Sequence, residues 1–376
     1  TLRRLRTCCV IACKFINLSS TDKAARRFLS WTCEHKLLMK KSFTPIPEPA
    51  PLPPAENIDV ADIYNKYISG EIDIICVIGP TASGKTKYAV ALAREINRLA
   101  GKDVAEIISA DSRQVYRGMD IGTGKDLAEY EEIPWHLMDI VDAGAKYNIY
   151  EYQRDFESAY RDIRARGCVP VLCGGSGLYV EAATCGYSLP DVPENKELRE
   201  AMEKLPTEEL IEKLAALKPL HNSTDYDTRK RLIRALEIAV YESEHPVSRT
   251  AYLPKKAYYI GTLVTREVRN ARINARLDTR LSEGMVEEIR SLLEGIPEHT
   301  DPLTGRLIPA RAPIPAEDLI YYGLEYKFVT LYIKGDISYE EMKSRLAIAI
   351  HQFAKRQMTW FRGMERRGIR IHWTEV

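Results

Sequence analysis

The sequence predicts an α/β fold in which a parallel sheet is covered by helices, and three observations predict it. A glycine-rich octapeptide at residues 79–86 lies between a largely apolar run and an amphipathic stretch. Short β-rich runs then alternate with helical segments up to residue 189, which is typical of a parallel sheet. Pro190 and Pro193 end this alternation, and a charged helical stretch follows before another β-rich run. A helical insertion is therefore expected to interrupt the core.

The first element of this core is the best defined. The octapeptide reads Gly79-Pro80-Thr81-Ala82-Ser83-Gly84-Lys85-Thr86. The order of strand, glycine-rich turn and helix start is the one that a phosphate-binding loop needs. Its backbone N–H groups and the positive end of the helix would bind a diphosphate, Lys85 would reach the outer phosphate, and the Thr86 hydroxyl would hold Mg²⁺. The flanking pattern disfavours a chance surface loop, so we expect a P-loop NTPase-like parallel-sheet core with a polyphosphate ligand.

The remaining elements follow from local periodicity. Strands are expected at residues 72–78, 105–109, 136–141, 169–173, 258–264 and 369–373. Helices are expected at residues 85–99, 150–166, 266–293, 316–333 and 338–366, with a proline-rich loop at 296–315. The predicted domains are a leader and tether (1–56), the first part of the core (57–189), a helical insertion (190–250), and the completion of the core with helical C-terminal segments (251–376).

The composition excludes several classes of protein. The formal net charge is only +1, so a polyanion site must come from local clustering of charge. No apolar run approaches the roughly 20 residues that span a bilayer. The eight cysteines include no CxxC pair, which suits reduced thiols and a cytoplasmic location. Residues 1–38 are basic and could be an organellar transit peptide, but we favour a start codon placed too far upstream, with residues 45–54 as a tether.

A carboxylate follows the second predicted strand, in the run Ser109-Ala110-Asp111-Ser112-Arg113-Gln114. The carboxyl end of a parallel strand faces the ligand crevice in folds of this kind. Asp111 could bind Mg²⁺, act as a base, or only cap the following turn. Its position beside a P-loop favours catalysis. Residues 117–125, which are rich in glycine and end in Lys125, are expected to form the lip of the same pocket.

The strand at residues 169–173 runs into Gly174-Gly175-Ser176-Gly177-Leu178-Tyr179. In a P-loop ATPase, a strand in this position commonly ends in the aspartate that holds Mg²⁺. Here glycines permit close backbone approach, and the Ser176 hydroxyl can bind a substrate amine or phosphate. The pattern argues against ordinary ATP hydrolysis.

Three basic stretches predict contact with a polyanion. In the insertion, Arg229, Lys230, Arg231 and Arg234 have few acidic neighbours, which favours contact with a phosphate backbone. Arg269, Arg272, Arg276 and Arg280 share one helical face and would repel one another unless an anion lies among them. The C-terminal run Lys355-Arg356-Gln357-Met358-Thr359-Trp360-Phe361-Arg362 interleaves basic and aromatic residues, as RNA-binding surfaces do, with Phe361 expected in the core.

In series, the stretches GPTASGKT, SADSRQVYRGMDIGTGK, GGSGLY, RLIRALE and KRQMTWFR resemble the tRNA dimethylallyltransferases, also called tRNA isopentenyltransferases, over residues 72–373. That family transfers a dimethylallyl group from dimethylallyl diphosphate to N6 of adenosine 37, beside the anticodon, and requires Mg²⁺. The resemblance implies that Asp111 is the base, that Ser176 contacts N6, and that Lys85 and Arg276 hold the diphosphate. It also implies that the anticodon stem-loop is bound by Asp111, Ser112, Arg113, Gln114, Ser176, Arg199, Lys230, Arg231, Arg234, Lys355, Arg356, Gln357, Thr359, Trp360 and Arg362.

The resemblance fails at residues 321–327. The family usually has Ile-Gly-Tyr-Lys/Arg-Glu there, and only Gly323 aligns cleanly. Three rival functions are weighed: an adenylate isopentenyltransferase that acts on free nucleotide, a P-loop kinase that acts on a small metabolite, and a non-catalytic RNA-binding module similar to GTPases. The basic insertion and KRQMTWFR favour tRNA over the first, and the glycine-rich end of the strand at 169–173 disfavours the second. The third would leave Asp111 and Ser176 without a role. We expect a monomer without membrane association.

Overall fold

The computed structural model describes residues 51–187, 189, 191–218, 228–245, 252–300, 307–308 and 310–376. Almost all of the expected leader and tether lies outside these residues. Residues 53–376 form one compact unit. Among the described residues, no helix has both the length and the apolar character needed to cross a membrane.

The strands are β1 (Ile74–Ile78), β2 (Ala105–Ser109), β3 (Tyr116–Arg117), β4 (Trp135–His136), β5 (Val141–Asp142), β6 (Val169–Gly174), β7 (Ala257–Leu263), β8 (His299–Thr300), β9 (Leu307–Ile308) and β10 (Ile371–Glu375). The helices are α1 (Val60–Ile68), α2 (Lys85–Ala100), α3 (Ile149–Ala165), α4 (Gly177–Thr184), α5 (Lys196–Glu203), α6 (Thr207–Leu217), α7 (Arg229–Glu244), α8 (Arg266–Ser282), α9 (Met285–Glu294), α10 (Ala316–Tyr322), α11 (Leu324–Ile333) and α12 (Tyr339–Arg366).

The main sheet has six parallel strands in the order β10-β7-β1-β6-β2-β4. Every residue of β1, β2 and β6 is buried, because helices cover both faces of the sheet. Helices α3, α4 and α12 contribute to the apolar cluster on one face, and α1 and α2 to the cluster on the other. The carboxyl ends of β1, β2 and β6 are adjacent, so the loops that follow them meet at one edge.

Two further apolar clusters lie away from this sheet. One joins α8, α9, α11 and the N-terminal half of α12, and the other lies within the insertion, between α5, α6 and α7. The insertion therefore has a small apolar core of its own. The C-terminal helices pack against the core near the P-loop.

The fold class is confirmed, and the differences from the expected elements are local. The strand expected at 136–141 is divided into β4 and β5, because Leu137 and Asp139 have positive φ angles of 63° and 55°. The expected helices at 266–293 and 316–333 are each divided, at Gly284 (φ 102°) and Gly323 (φ 77°). The expected loop at 296–315 contains the antiparallel pair β8 and β9.

Candidate active site

The P-loop connects β1 to α2 through a tight turn. Gly84 and Ala82 have positive φ angles of 83° and 60°, and the second is uncommon for a residue with a Cβ. A Cβ on Gly79 would lie 2.2 Å from Thr262 Oγ1, so this position needs glycine. The buried Ser83 hydroxyl lies 2.6 Å from Thr262 Oγ1. The loop is thus held against β7, its neighbour in the sheet.

Gln357 of α12 also holds the P-loop. Its Oε1 accepts a hydrogen bond from the Thr81 N–H at 2.8 Å, and its Nε2 donates to the Gly175 carbonyl at 2.9 Å. Gln357 is only 6% exposed. Gln357 therefore joins the P-loop to the glycine-rich turn after β6. Its expected contact with tRNA stays a prediction.

Asp111 follows β2 at the expected edge of the sheet. Its Oδ1 accepts a hydrogen bond from the Arg113 N–H at 2.9 Å, and its own N–H donates to Ser109 Oγ at 3.3 Å. The carboxylate therefore caps the following turn, which is one of the three roles expected for Asp111 from the sequence. Within the described part of the chain, Oδ2 accepts no hydrogen bond. One oxygen thus fixes the carboxylate, and the other is left for a ligand.

Ser176 lies beside Asp111, because β2 and β6 are neighbours. Its Oγ accepts a hydrogen bond from the Ser112 N–H at 3.2 Å, and its N–H donates to the Ala110 carbonyl at 3.3 Å. A Cβ on Gly174 would lie 2.3 Å from that carbonyl, so the two loops can approach this closely only with glycine there. The two polar groups expected at the reacting amine thus lie on adjacent loops.

Positive charge is concentrated on the P-loop side of the site. Burial lowers the pKa of Lys85, the negative charge of Asp111 raises it, and the positive charges of Arg276 and Arg280 lower it. Burial and the charge of Arg280 together lower the pKa of Arg276 to about 10. Arg276 lines one cavity with Thr81 and Ala82 of the P-loop, and it shares the Gly124 carbonyl with Gln114, on the loop that carries Asp111. The roles expected for Lys85, Asp111 and Arg276 stay predictions.

The glycine-rich segment at 117–125 borders the site through Gly124. The Arg276 guanidinium donates to the Gly124 carbonyl at 3.4 Å and forms an ion pair with Asp126. Lys125 points away from the pocket, because its buried ammonium donates to the Tyr116 carbonyl at 2.6 Å and pairs with Asp120 and Asp139. The lip of the pocket is therefore formed by backbone.

Arg113 and Gln114 stabilise the loop that carries Asp111. Gln114 Oε1 accepts from Ser109 Oγ at 3.1 Å, and its Nε2 donates to the Gly124 carbonyl at 3.2 Å. The Arg113 guanidinium lies 5.5 Å from the centre of the Tyr322 ring, a cation–π geometry. Their expected contact with tRNA stays a prediction, and the structure adds these internal contacts.

The insertion differs from the expectation that its basic residues lack acidic neighbours. Glu237, which is 1% exposed, accepts from Arg199 Nη2 at 2.8 Å and forms an ion pair with Arg234. Arg229 pairs with Glu203 at 2.8 Å. Arg199 and Arg234 therefore stabilise the insertion itself, and any contact of these two with tRNA would be a second role.

Among the basic residues of the insertion that were expected to bind tRNA, two face outward. Lys230 and Arg231 are exposed, and the Lys230 ammonium lies 4.7 Å from the centre of the Tyr321 ring. Tyr321 is itself 52% exposed. The insertion and α10 thus share one basic and aromatic surface.

The exposed side of α12 carries Lys355, Arg356, Thr359 and Trp360, and Arg362 is half-buried. Trp360 donates its indole N–H to Glu181 at 2.8 Å, and a Cβ on Gly177 would lie 2.1 Å from its ring. Phe361 is fully buried, as expected. This surface adjoins the turn that carries Ser176, because α4 begins directly after that turn.

Two residues of the pocket were not selected for the site from the sequence. Arg280 was noted only as part of an arginine stripe, and Glu325 lies in the segment that departs from the family pattern. Together with Thr81, Ala82 and Arg276, they line one small cavity behind the P-loop. Glu325 could not be found from the sequence, because its contact with Arg280 joins separate helices.

The comparisons with known proteins agree with this geometry. A family model described as IPP transferase matches residues 114–364. The tRNA dimethylallyltransferase 1 of Parabacteroides distasonis is 53% identical over 308 residues, which cover 81% of this chain and 92% of the relative.

Two solved structures are similar as well. The full-length tRNA isopentenylpyrophosphate transferase of Bacillus halodurans is 31% identical, with a TM-score of 0.54 over 80% of this chain and 89% of that one. A eukaryotic dimethylallyltransferase acting on tRNA is 22% identical, with a TM-score of 0.61 over 80% of this chain and 73% of that one, and it supports the fold alone.

Proposed function

The chain belongs to the IPP transferase family, and from this membership we propose that it transfers a dimethylallyl group from dimethylallyl diphosphate to N6 of adenosine 37 in tRNA, releasing diphosphate. The observation that carries the proposal is geometric: Arg276 lines one cavity with the P-loop and shares the Gly124 carbonyl with Gln114, on the loop that carries Asp111 and contacts Ser176. This arrangement places anion-binding groups and a carboxylate around the same space.

The diphosphate is the leaving group of the reaction. The bond between the allylic carbon and the phosphate oxygen breaks, and its electron pair leaves with the diphosphate. The P-loop amides, Lys85 and Arg276 provide fixed positive charge where that negative charge accumulates, which is the most effective form of electrostatic stabilisation in enzymes. The partly buried position of these groups strengthens the interaction, because water screens it less.

The nucleophile is the N6 amine of the adenine, whose lone pair is delocalised into the ring. As N6 bonds to the allylic carbon, it must lose a proton. Asp111 Oδ2 is positioned to accept that proton while Oδ1 remains bonded to the Arg113 N–H. The Ser176 hydroxyl, which accepts from Ser112, can orient the amine. The adenine must leave its stack to reach this pocket.

We propose Mg²⁺ as the cofactor, held by the Thr86 hydroxyl at the N-terminus of α2 together with diphosphate oxygens and water. The arrangement needs one hydroxyl donor directly after the P-loop, and Thr86 is the second residue of α2. Mg²⁺ commonly binds proteins through few side chains and several substrate phosphate oxygens. The ion supplies charge neutralisation of the diphosphate.

The tRNA is proposed to lie across the exposed side of α12 and the outward residues of the insertion, with Lys355, Arg356, Lys230 and Arg231 near phosphates. Trp360 offers a partly exposed aromatic ring beside the turn of Ser176. We propose that the chain acts as a monomer in the cytoplasm, since its cysteine pattern suits reduced thiols.

The test is a transfer assay with the purified chain, Mg²⁺ and radiolabelled dimethylallyl diphosphate. One tube holds unmodified tRNA with adenosine at position 37, a second holds the same tRNA with guanosine at that position, and a third holds AMP. We expect label only in the first tube. Label in AMP alone would assign the chain to the nucleotide-modifying rival, and equal label in both tRNAs would refute position 37.

A further inference from the structure

Arg276 and Arg280 lie on successive turns of α8, and both line the cavity behind the P-loop. The cavity is also lined by Thr81, Ala82 and Glu325, and its volume of about 20 Å³ leaves room for a single oxygen atom. The P-loop therefore borders the cavity, two arginines and Glu325 supply its charged groups, and Ile273, Leu277 and Ile350 complete the lining.

Arg280 is poorly satisfied by the chain itself. Its side chain is 13% exposed, and its Nε is buried without a hydrogen-bond partner in the part of the chain that the structure describes. Its ion-pair partner is Glu325, at 3.9 Å between Nη1 and Oε1, too far for a hydrogen bond. A buried cation with an unused donor is unfavourable, so the protein must gain from placing it there.

The electrostatics of the pocket point to an anion. The positive charge of Arg280 lowers the pKa of both Lys85 and Arg276, and the positive charge of Arg276 lowers the pKa of Lys85. Burial raises the pKa of Glu325, and the positive charge of Arg280 lowers it. Asp126 pairs with Arg276 and Glu325 lies near Arg280, so the chain offsets only part of the repulsion among the three cations, and a bound anion would reduce it further.

Gly124 shows that the position of Arg280 is built into the fold. Its φ is +59°, and a Cβ there would lie 1.5 Å from Arg280 Nη2 and 3.0 Å from Arg276 Nη2. Both guanidinium groups therefore lie against a backbone that only glycine leaves open. A freely mobile surface arginine would require no such clearance.

We propose that Arg280 is a second arginine of the diphosphate site, which binds one phosphate oxygen beside Arg276, while Glu325 holds its guanidinium in place. The proposal rests on the proposed function, since it takes the P-loop ligand to be a diphosphate. The contact exists in both substrate and released diphosphate, because the oxygen it binds does not take part in the broken bond. Its loss should therefore weaken binding of both and change kcat little.

The experiment compares three variants of the whole chain, Arg280→Met, the double variant Arg280→Met with Glu325→Gln, and the control Arg290→Met. Methionine keeps most of the length of the arginine side chain and removes its charge. The double variant also removes the charge of Glu325, which would otherwise lose its ion-pair partner. Arg290 lies on α9 in an exposed pair with Glu294, so the control removes a positive charge outside the pocket. Calorimetry with inorganic pyrophosphate and Mg²⁺ gives the dissociation constant without tRNA.

We expect both Arg280 variants to bind pyrophosphate at least tenfold more weakly, with a similar rise in the KM for dimethylallyl diphosphate and kcat within threefold. The control should match the wild type. Pyrophosphate affinity within twofold of wild type in Arg280→Met, or restored in the double variant, would show that Arg280 serves only as the partner of Glu325. If the wild type bound pyrophosphate but transferred no label to tRNA, the proposed function would fail, while the binding data would still decide the role of Arg280.

Discussion

At the scale of the residue, Asp111 combines a structural and a chemical role in one carboxylate. Oδ1 is fixed by the Arg113 N–H at 2.9 Å, and Ser176 contacts Ser112, the residue that follows Asp111. The positive charges of Lys85 and Arg276 lie close by without forming an ion pair with it. A substitution of Asp111 can therefore remove its negative charge and keep the position of its side chain.

We expect Asp111→Asn to reduce the transfer rate by about 10²–10⁴-fold, because the amide oxygen can still accept from Arg113 but cannot take a proton. The melting temperature and the dissociation constant for tRNA should stay close to those of the wild type. Single-turnover transfer, circular dichroism and filter binding measure these quantities. Full activity in this variant would remove Asp111 from the role of base.

Glu106 shows how a single residue makes stability depend on pH. Its carboxylate accepts from Arg166 Nη2 at 2.9 Å and lies 2.7 Å from His136 Nε2, and it is largely buried in β2. The Arg166 guanidinium, with His136, lowers the pKa of Glu106 to about 2. Because the folded-state pKa is lower than the unfolded one, this contribution is complete above about pH 4.5 and disappears as the pH falls toward 2.

We expect Glu106→Gln to lower the free energy of unfolding at pH 7 by roughly 1–3 kcal/mol. The difference from wild type should shrink between about pH 4.5 and about pH 2. Urea denaturation over that range measures it. Asp162→Asn, which removes an exposed partner of the same Arg166, is the control and should cost less than about 1 kcal/mol. A difference that did not change with pH would contradict the assigned cause.

At the scale of the element, α12 connects two parts of the protein. Its buried side carries Gln357, which bonds to Thr81 of the P-loop and to Gly175, and its exposed side carries Lys355 and Thr359. One helix therefore contacts the diphosphate loop from inside and is proposed to contact tRNA from outside. The sequence predicted the helix and its basic face, but not the inward role of one residue in the motif.

We expect Gln357→Leu to raise the KM for dimethylallyl diphosphate by about tenfold, because the Thr81 N–H and the Gly175 carbonyl both lose their partner. Gln357→Glu keeps the acceptor for Thr81 but places a buried negative charge against the Gly175 carbonyl and beside the diphosphate loop, so its effect should be larger. Steady-state kinetics with saturating tRNA separate the two variants. Equal KM values in wild type and Gln357→Leu would show that this link does not shape the P-loop.

In the insertion, one ion pair follows from the spacing of residues in the sequence and another depends on the tertiary fold. Arg234 and Glu237 stand three residues apart on α7, so their ion pair was visible as an i, i+3 spacing. Arg199 on α5 joins the same carboxylate through the tertiary fold alone. A basic helix whose arginines bind its own buried glutamate keeps less charge available for phosphate than its composition indicates.

At the scale of the whole molecule, the proposed tRNA surface is a local concentration of charge on a chain with net charge of only +1. Lys355 and Arg356 are exposed on α12, and Lys230 and Arg231 are exposed on the insertion. Removing phosphate contacts should weaken binding and also reduce its dependence on salt, because fewer counterions are released.

We expect the double variant Lys355→Ala with Arg356→Ala to bind tRNA more weakly and to reduce the slope of log K against log [salt] by about 1–2. The double variant Lys334→Ala with Arg345→Ala removes the same charge from exposed positions outside the motif and is the control. Filter binding at several salt concentrations measures both. An unchanged slope in the first variant would move the tRNA surface elsewhere on the protein.

The sequence alone determined the α/β class, the P-loop, the strand ends that carry Asp111 and Ser176, and the family, because each is encoded in residues close together in the chain. Only the tertiary structure decided that Gln357 faces the P-loop, 276 positions away at Thr81, and that Arg280 meets Glu325 behind it. The physical reason is that a local pattern sets which face of a helix is buried, whereas packing between distant elements decides what each buried polar group contacts.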